Sequence, residues 1–203
     1  DNDSVGDAAD ACPTGDLGWT SDSSTDHDSD GCQDSSSEDT DDDNDSMDDT
    51  VDDCRTGDLG WTSNSTTDHD SDGCQDAGED GNDDNDSHLD QLDLCPTGSV
   101  GWISNSTNDH DSDGCHDSIE DLDDDNDSVP DITDACPTTP MQGDQPWTSN
   151  SGTDHDSDGC QDSTSEDIDD DNDSVDDAAD DCPKGDLGWT SDSVTDHDSD
   201  GCQ

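Results

Sequence analysis

The sequence contains no phenylalanine and no tyrosine, and it has only two basic residues, Arg55 and Lys184. Hydrophobic residues make up 20% of its 203 positions. These shortages exclude a core made mainly of apolar burial. About 25 cal/mol per Å² of buried apolar surface does not offset roughly 1–2 kcal/mol of backbone entropy per ordered residue. No apolar run is long enough for direct membrane insertion. No nucleophile–base arrangement, phosphate loop or cofactor motif is present, so the chain does not read as an enzyme. Nor is there a sustained helical period or strand alternation.

Against the two bases stand 64 Asp and Glu residues, for a formal net charge of −62. That charge argues against nucleic acid and anionic membrane surfaces as partners. High charge with low hydrophobicity is also the composition of disorder. Order therefore has to come from elsewhere, and two sources are visible: ten regularly spaced cysteines and any multivalent cation able to cancel the carboxylates. Cysteines in a chain without a core point to disulfides and an oxidising, extracellular or cell-surface location.

The chain repeats itself. Alternate cysteines from Cys12 to Cys182 lie 42, 41, 41 and 46 residues apart. The unit is about 41 residues long, with approximate bounds 1–40, 41–81, 82–122, 123–168 and 169–203. The chain starts at DNDSV and stops at GCQ, both inside a repeat, which reads as a window of a longer array. Each tryptophan (Trp19, Trp61, Trp102, Trp147, Trp189) precedes a cysteine by 13 residues. Each acidic run, from Asp41, Asn82, Asp123 or Asp169, also precedes a cysteine by 13. Length drifts elsewhere, notably by four residues before Trp147 in TTPMQGDQPW. A solvated spacer has no reason to hold aspartate spacing constant; a site with a geometry does. Frequent Gly, Pro, Ser, Asn and Asp predict turns and loops. At most a single helical turn is expected, at 7–10 or 176–180. The expected fold class is irregular: an elongated tandem-repeat array with little regular secondary structure.

Two loop types alternate. The first is DxDxDG, here the G-loop. Counted from Asp68, oxygens fall at positions 1, 3, 5, 9 and 12 (Asp68, Asp70, Asp72, Asp76, Glu79), with Gly73 at 6. This is the oxygen spacing of an EF-hand-type calcium loop, although no amphipathic helices flank it. The same positions are Asp109, Asp111, Asp113, Asp117 and Glu120 in another copy. Two more copies carry Asp26, Asp28, Asp30, Asp34 and Asp154, Asp156, Asp158, Asp162. In these the Glu slips to position 13 (Glu38, Glu166), and the last ligand is undefined. A fifth copy, Asp196, Asp198, Asp200, is cut by the chain end.

The second type, the S-loop, has Ser in place of Gly at position 6. Its candidate ligands are Asp41, Asp43, Asp45, Asp49 and Asp52, then Asn82, Asp84, Asp86, Asp90 and Asp93. The next two copies use Asp123, Asp125, Asp127, Asp131, Asp134 and Asp169, Asp171, Asp173, Asp177, Asp180. Serine adopts the required turn at some cost, and Asn82 lowers the charge of its ring. Eight complete loops in strict alternation imply about ten or more Ca²⁺ ions, counting the truncated copies.

TDHDSDGCQD and DDDNDSVDDAADDCP (169–183), repeated head to tail without a core, resemble the thrombospondin type 3 repeat. Related repeats form calcium-stiffened stalks in large bacterial and archaeal surface proteins. The resemblance implies an irregular chain wrapped around many Ca²⁺ ions and tied by disulfides between neighbouring motifs. Ser at position 6 and the Trp-containing insert, CRTGDLGWTSNSTT at 54–67, depart from that pattern. Two regular pairings are open. Cys12–Cys32, Cys54–Cys74, Cys95–Cys115, Cys136–Cys160 and Cys182–Cys202 would close the Trp loops; Cys32–Cys54 and its successors would close the acidic linkers. The first leaves no cysteine unpaired and fits the family's sequential pairing. Zinc is not expected, since no CxxC or CxxH pair exists.

Trp, the aliphatic residue two positions before it and the cystine would form a small cluster, with a contact to sugar or another chain as the sharper alternative. His27, His69, His110, His155 and His197, at position 2 of the G-loops, are expected on the surface. Asn64 and Asn105 are N-glycosylation acceptors in form. Asn-Asp-Ser triplets match too but lie inside the loops. The reading is an extracellular structural protein, a calcium-stiffened, disulfide-tied stalk, spacer or filament, with copies of itself as fibre partners. The alternative is an adhesin using the Trp loops for cell-surface glycans or a protein.

Overall fold

The computed structural model describes residues 2–138 and 147–203. Most of the insertion before Trp147 lies outside the described residues. Among the described residues there is no helix or strand, only turns, bends and extended segments, and hence no helix long and apolar enough to cross a membrane. The expected helical turns shrink to single closures, Ala9 N–H to Gly6 O and Ala179 N–H to Asp176 O, each 2.7 Å. The chain divides into two compact units, Asp1–Ile103 and Ser104–Gln203.

What is buried inverts the usual order. The buried hydrophobic side chains are Cys32, Cys74, Cys115 and Cys160, and the largest fully buried side chains are all aspartates. Leu17 is 80% exposed, Ile132 94% and Val194 88%. Aliphatic residues face water because nothing apolar exists for them to pack against, while the turns fold the short aspartates inward.

Hydrogen bonds of one pattern recur along the chain. Every complete loop is closed by position 9 donating to the residue before position 1, as in Asp34 N–H to Thr25 O (3.2 Å) and Asp49 N–H to Thr40 O (2.9 Å). The Trp loop is pinned to the S-loop by Ser63 N–H to Asp45 O and, in the second unit, by Ser149 N–H to Asp127 O, each 2.8 Å. Its base is closed by Asp53 N–H to Asp72 O at 2.8 Å, beside the Cys54–Cys74 bridge.

The bridges Cys12–Cys32 and Cys54–Cys74 lie in the first unit, and Cys136–Cys160 and Cys182–Cys202 in the second. Cys95 and Cys115 are disulfide-bonded as well, and no cysteine is free. These pairings close the Trp loops, the first of the two options open in the sequence. A closed loop of about twenty residues removes roughly 3 kcal/mol of unfolded-state entropy, a large sum for a chain with so little apolar burial.

Two positions in each loop have left-handed backbone. Position 4 is Ser29 (φ 65°) in one G-loop and Asn44 (φ 58°) in the adjoining S-loop. Position 6 is Gly31 (φ 92°) and Ser46 (φ 82°). The same backbone thus uses glycine in one loop and serine in the other, and packing explains the difference. A Cβ on Gly73 would lie 2.2 Å from Asp52 Oδ1 of the preceding S-loop, and one on Gly159 2.0 Å from Asp134 Oδ1. Gly73→Ala is therefore expected to destabilise the cation-saturated protein by about 1–3 kcal/mol through strain, plus displacement of Asp52. Ser46→Gly, at a similar φ, relieves strain and costs nothing. Denaturant unfolding of both variants measures the contrast.

Candidate metal centres

In each G-loop the left-handed residues at positions 4 and 6 turn the chain so that alternate side chains converge. The carboxylates of Asp26, Asp28 and Asp30 each place an oxygen within 4.8 Å of the others, and Asp68, Asp70 and Asp72 do the same. Asp26 and Asp68 are fully buried and also cap the turn. Asp26 Oδ1 accepts the Asp30 N–H (3.0 Å) and Oδ2 the Gly31 N–H (3.2 Å). In the S-loop, Asp41, Asp43 and Asp45 form the equivalent group.

The two loop types are joined by the position-4 asparagine. Asn44 Nδ2 donates to Asp28 Oδ2, and Asn85 Nδ2 to Asp70 Oδ2 and, at 3.1 Å, Asp72 Oδ2. In the second unit Asn126 bonds Asp111 and Asp113, and Asn172 bonds Asp156 and Asp158. These amides belong to the Asn-Asp-Ser triplets, so the side chains that would carry a glycan there are already engaged. Asn64 and Asn105, by contrast, are exposed. Asn64 Oδ1 accepts the Thr66 hydroxyl at 2.6 Å, and the Asn105 turn repeats this with Thr107.

The S-loops hold the strongest indication of a ligand. Asp41 Oδ1, Asp45 Oδ2 and Asp52 Oδ2 are buried oxygens with no hydrogen-bond partner. So are Asn82 Oδ1 and Asp93 Oδ2 in the next copy, where Asp86 Oδ2 accepts no hydrogen bond but has His88 Nδ1 at 3.6 Å, and the corresponding atoms of Asp123, Asp127 and Asp134 in the second unit. Asp173 Oδ2 and Asp180 Oδ2 repeat the pattern at positions 5 and 12. Positions 1, 5 and 12 thus share one task, whereas position 3 is diverted: Asp43 Oδ2 accepts the Gly57 N–H at 2.8 Å. Unpaired buried carboxylates are costly unless a counter-charge meets them. A hard cation fits an all-oxygen donor set of this kind, and these clusters could hold metal ions.

Position 9 follows a different course. Asp34 Oδ1 accepts the His27 N–H (3.2 Å) and Asp76 Oδ1 the His69 N–H (3.0 Å). Their carboxylates gather with residues absent from the sequence assignment: Asp34 with Asp39 and Asp42, and Asp76 with Asp80 and Asp83. The signal was available. An Asp stands two residues before every S-loop (Asp39, Asp80, Asp121, Asp167), and Asp always fills position 2 (Asp42, Asp83, Asp124, Asp170). In an isolated loop, position 2 points outward; here outward means into the junction with the neighbouring loop.

The glutamates also have another task. Glu79 Oε1 accepts the Gln75 N–H (3.1 Å) and Oε2 the Asp58 N–H (2.8 Å). Glu38, one residue later in its loop, binds Gln33 N–H and Asp16 N–H in the same way. Glu120 Oε1 accepts the His116 N–H at 3.1 Å. Glu38 and Glu79 clamp the Trp loop to the G-loop, and the one-residue slip at Glu38 leaves that clamp intact.

The histidines are half-buried in four of five copies, not exposed as expected; His197 alone is exposed. His27 Nε2 meets Gly57 O at 2.9 Å, His69 Nε2 meets Gly98 O at 2.8 Å and His155 Nε2 meets Gly185 O at 3.0 Å. A carbonyl only accepts, so each Nε2 carries the proton, and the imidazole ties one repeat to the next. Trp19 Nε1 donates to Asp16 O at 3.0 Å. Trp189 lines a cavity with the Cys182–Cys202 bridge. The expected aliphatic partners Leu17, Leu59 and Leu187 are at least half exposed, so the small cluster is open on that side.

Burial, reinforced by neighbouring carboxylates, raises the pKa values of several aspartates above the usual carboxylate range. Asp42 rises to about 7, with Asp49, Asp34 and Asp39 beside it. Asp52 rises to about 6, and Asp134 and Asp156 to about 7. A raised carboxylate pKa means that the folded chain binds more protons than the unfolded chain. Stability from these groups is present below about pH 4, the unfolded value, and is lost as pH rises through 6–7. In chelator the chain is expected to be more compact at pH 4 than at pH 7.5, and divalent cation restores compactness at pH 7.5; hydrodynamic radius by light scattering measures both. Compared with known proteins, the chain matches no family model and no curated protein.

Proposed function

We propose that the protein is an extracellular structural element, a stalk, spacer or filament segment whose stiffness comes from bound calcium. The observation that supports this most is the burial of carboxylate oxygens without partners, such as Asp45 Oδ2 and Asp52 Oδ2, in a chain with two basic residues. Calcium is the cation that suits them. It takes six to eight oxygens in adaptable geometry, whereas magnesium requires a tight octahedron and keeps its waters. The donor atoms are carboxylate and amide oxygens, with no thiolate among them to attract softer metals.

The mechanism is electrostatic. Without the ion, aspartates within one loop repel and the turns open. With it, each loop closes and binding free energy becomes folding free energy. The disulfides hold each Trp loop shut at its base, so loading tightens a chain that is already partly constrained. The cystine pairing and the alternating loops agree with what the resemblance to thrombospondin type 3 repeats implies. Fully bonded cysteines suit an oxidising compartment.

A second reading, adhesion through the Trp loops to glycans or a protein, is favoured by the exposed Leu17, Leu59 and Leu187 beside their tryptophans. Saturable glycan binding abolished by Trp61→Ala would promote it.

Calcium titration of the oxidised, chelator-treated protein is expected to reduce its hydrodynamic radius and change its circular dichroism, with magnesium far less effective. No structural change on loading would sink the stiffening mechanism. Asp45→Asn removes one charge from an S-loop ring and is expected to weaken that site about tenfold, following ligand charge count. Calorimetry reads this as loss of one tight binding event.

A further inference from the structure

The junction where a G-loop meets the next S-loop carries a four-carboxylate pocket separate from either ring. Asp34 and Asp39 come from the G-loop side, and Asp42 and Asp49 from the S-loop. Asp34, Asp39 and Asp42 place oxygens within 4.8 Å of one another, and Asp49 Oδ1 accepts the Asp42 N–H at 2.9 Å. Asp39 and Asp42 are each 8% exposed, yet Asp39 Oδ2 and Asp42 Oδ1 are buried without a partner. Asp80 Oδ2 with Asp83 Oδ1, Asp121 Oδ2 with Asp124 Oδ1, and Asp167 Oδ2 with Asp170 Oδ1 at the fourth junction repeat the pattern.

The fourth junction differs by one residue. The position two after the first cysteine of each Trp loop is Thr14, Thr56, Thr97, Thr138 and then Lys184, the only lysine. Its ammonium bonds Asp162 Oδ2 and lies 3.3 Å from Asp170 Oδ2. Those two aspartates are the counterparts of Asp34 and Asp42. A side chain of this protein thus brings a positive charge to the Asp162 and Asp170 side of the pocket, although Asp167 Oδ2 and Asp170 Oδ1 accept no hydrogen bond from it.

We propose that each G-loop/S-loop junction is a divalent-cation site in its own right, and that Lys184 is a tethered cation that takes the place of the ion at the fourth. An ammonium is a compact point charge able to sit among carboxylate oxygens. It delivers one charge where the ion delivers two, and it does so without depending on dissolved calcium. The fourth junction would then stay closed at calcium concentrations that empty the others. The inference rests on the loops being calcium-loaded, and it adds sites outside the two rings.

Counting bound calcium after equilibrium dialysis tests it. Lys184→Thr, which restores the residue of the other copies, is expected to bind one more ion per chain than the unmodified protein, and Thr56→Lys one fewer. Asp39→Asn/Asp42→Asn is expected to lose one ion, while Asp167→Asn/Asp170→Asn loses none. An unchanged count in Lys184→Thr, in a protein that otherwise binds calcium and compacts with it, overturns this proposal alone. Failure of the unmodified protein to bind calcium overturns the calcium reading and this proposal together. Folding of each variant is followed by calcium-dependent hydrodynamic radius, and Lys184→Thr, a change toward the other copies, keeps the test decisive where the double Asn variants do not fold.

Discussion

Carboxylates buried against carboxylates are the condition on which the rest of this structure depends. Asp43, Asp45, Asp68, Asp84 and their counterparts occupy the interior that Leu, Ile and Phe occupy elsewhere. Like charges at such separations repel, and burial strengthens the repulsion by removing the water that would screen it. Such an interior is stable only if cations or protons complete it. The fold is best understood as a set of half-sites, closed on one side by peptide N–H groups and open on the other toward a positive charge.

The half-sites are interlocked rather than strung in series. Asn44 reaches back to Asp28 of the preceding loop, His27 reaches forward to Gly57, and Asp52 presses on Gly73. Gly57 is used from three sides: its N–H binds Asp43, its carbonyl meets His27, and a Cβ there would lie 2.5 Å from Glu79 Oε2. A change of charge in one loop is therefore felt by the next through short, polar contacts. Cystines at the base of the Trp loops hold the chain near this arrangement even when the carboxylates push it apart.

Much of this was legible in the sequence. Constant spacing between Trp, Asp and Cys marked the rigid parts. DxDxDG and DxDNDS announced turns whose alternate side chains converge, and the structure brings Asp26, Asp28 and Asp30 together as that spacing requires. The absence of helix and strand followed from the density of turn-forming residues. The position-12 aspartates, such as Asp52, are buried with one oxygen lacking a hydrogen-bond partner. Other contacts lie beyond a reading of each loop in isolation. Glu79, assigned to a ring, also accepts the Gln75 and Asp58 N–H groups. The G-loop histidines at position 2 were expected to face solvent, yet His27, His69 and His155 bind the next repeat; in the S-loops position 2 is an Asp turned into a junction.

The sequence by itself determined the character of the protein: too little apolar surface for a core, far more negative charge than its two bases balance, and a repeat whose fixed intervals hold the acidic oxygens. These follow from composition and local spacing, because turn geometry is set within a few residues. Tertiary structure alone decided which cysteines join, why glycine fills one loop and serine the other, and why Asp39 and Asp42 meet Asp34. Each depends on two loops approaching within a few ångströms, and single-loop spacing carries no term for that approach. Lys184 shows the difference most clearly. In the sequence it is one stray base among 64 acids; in the structure it joins Asp162 of a G-loop to Asp170 of the next S-loop.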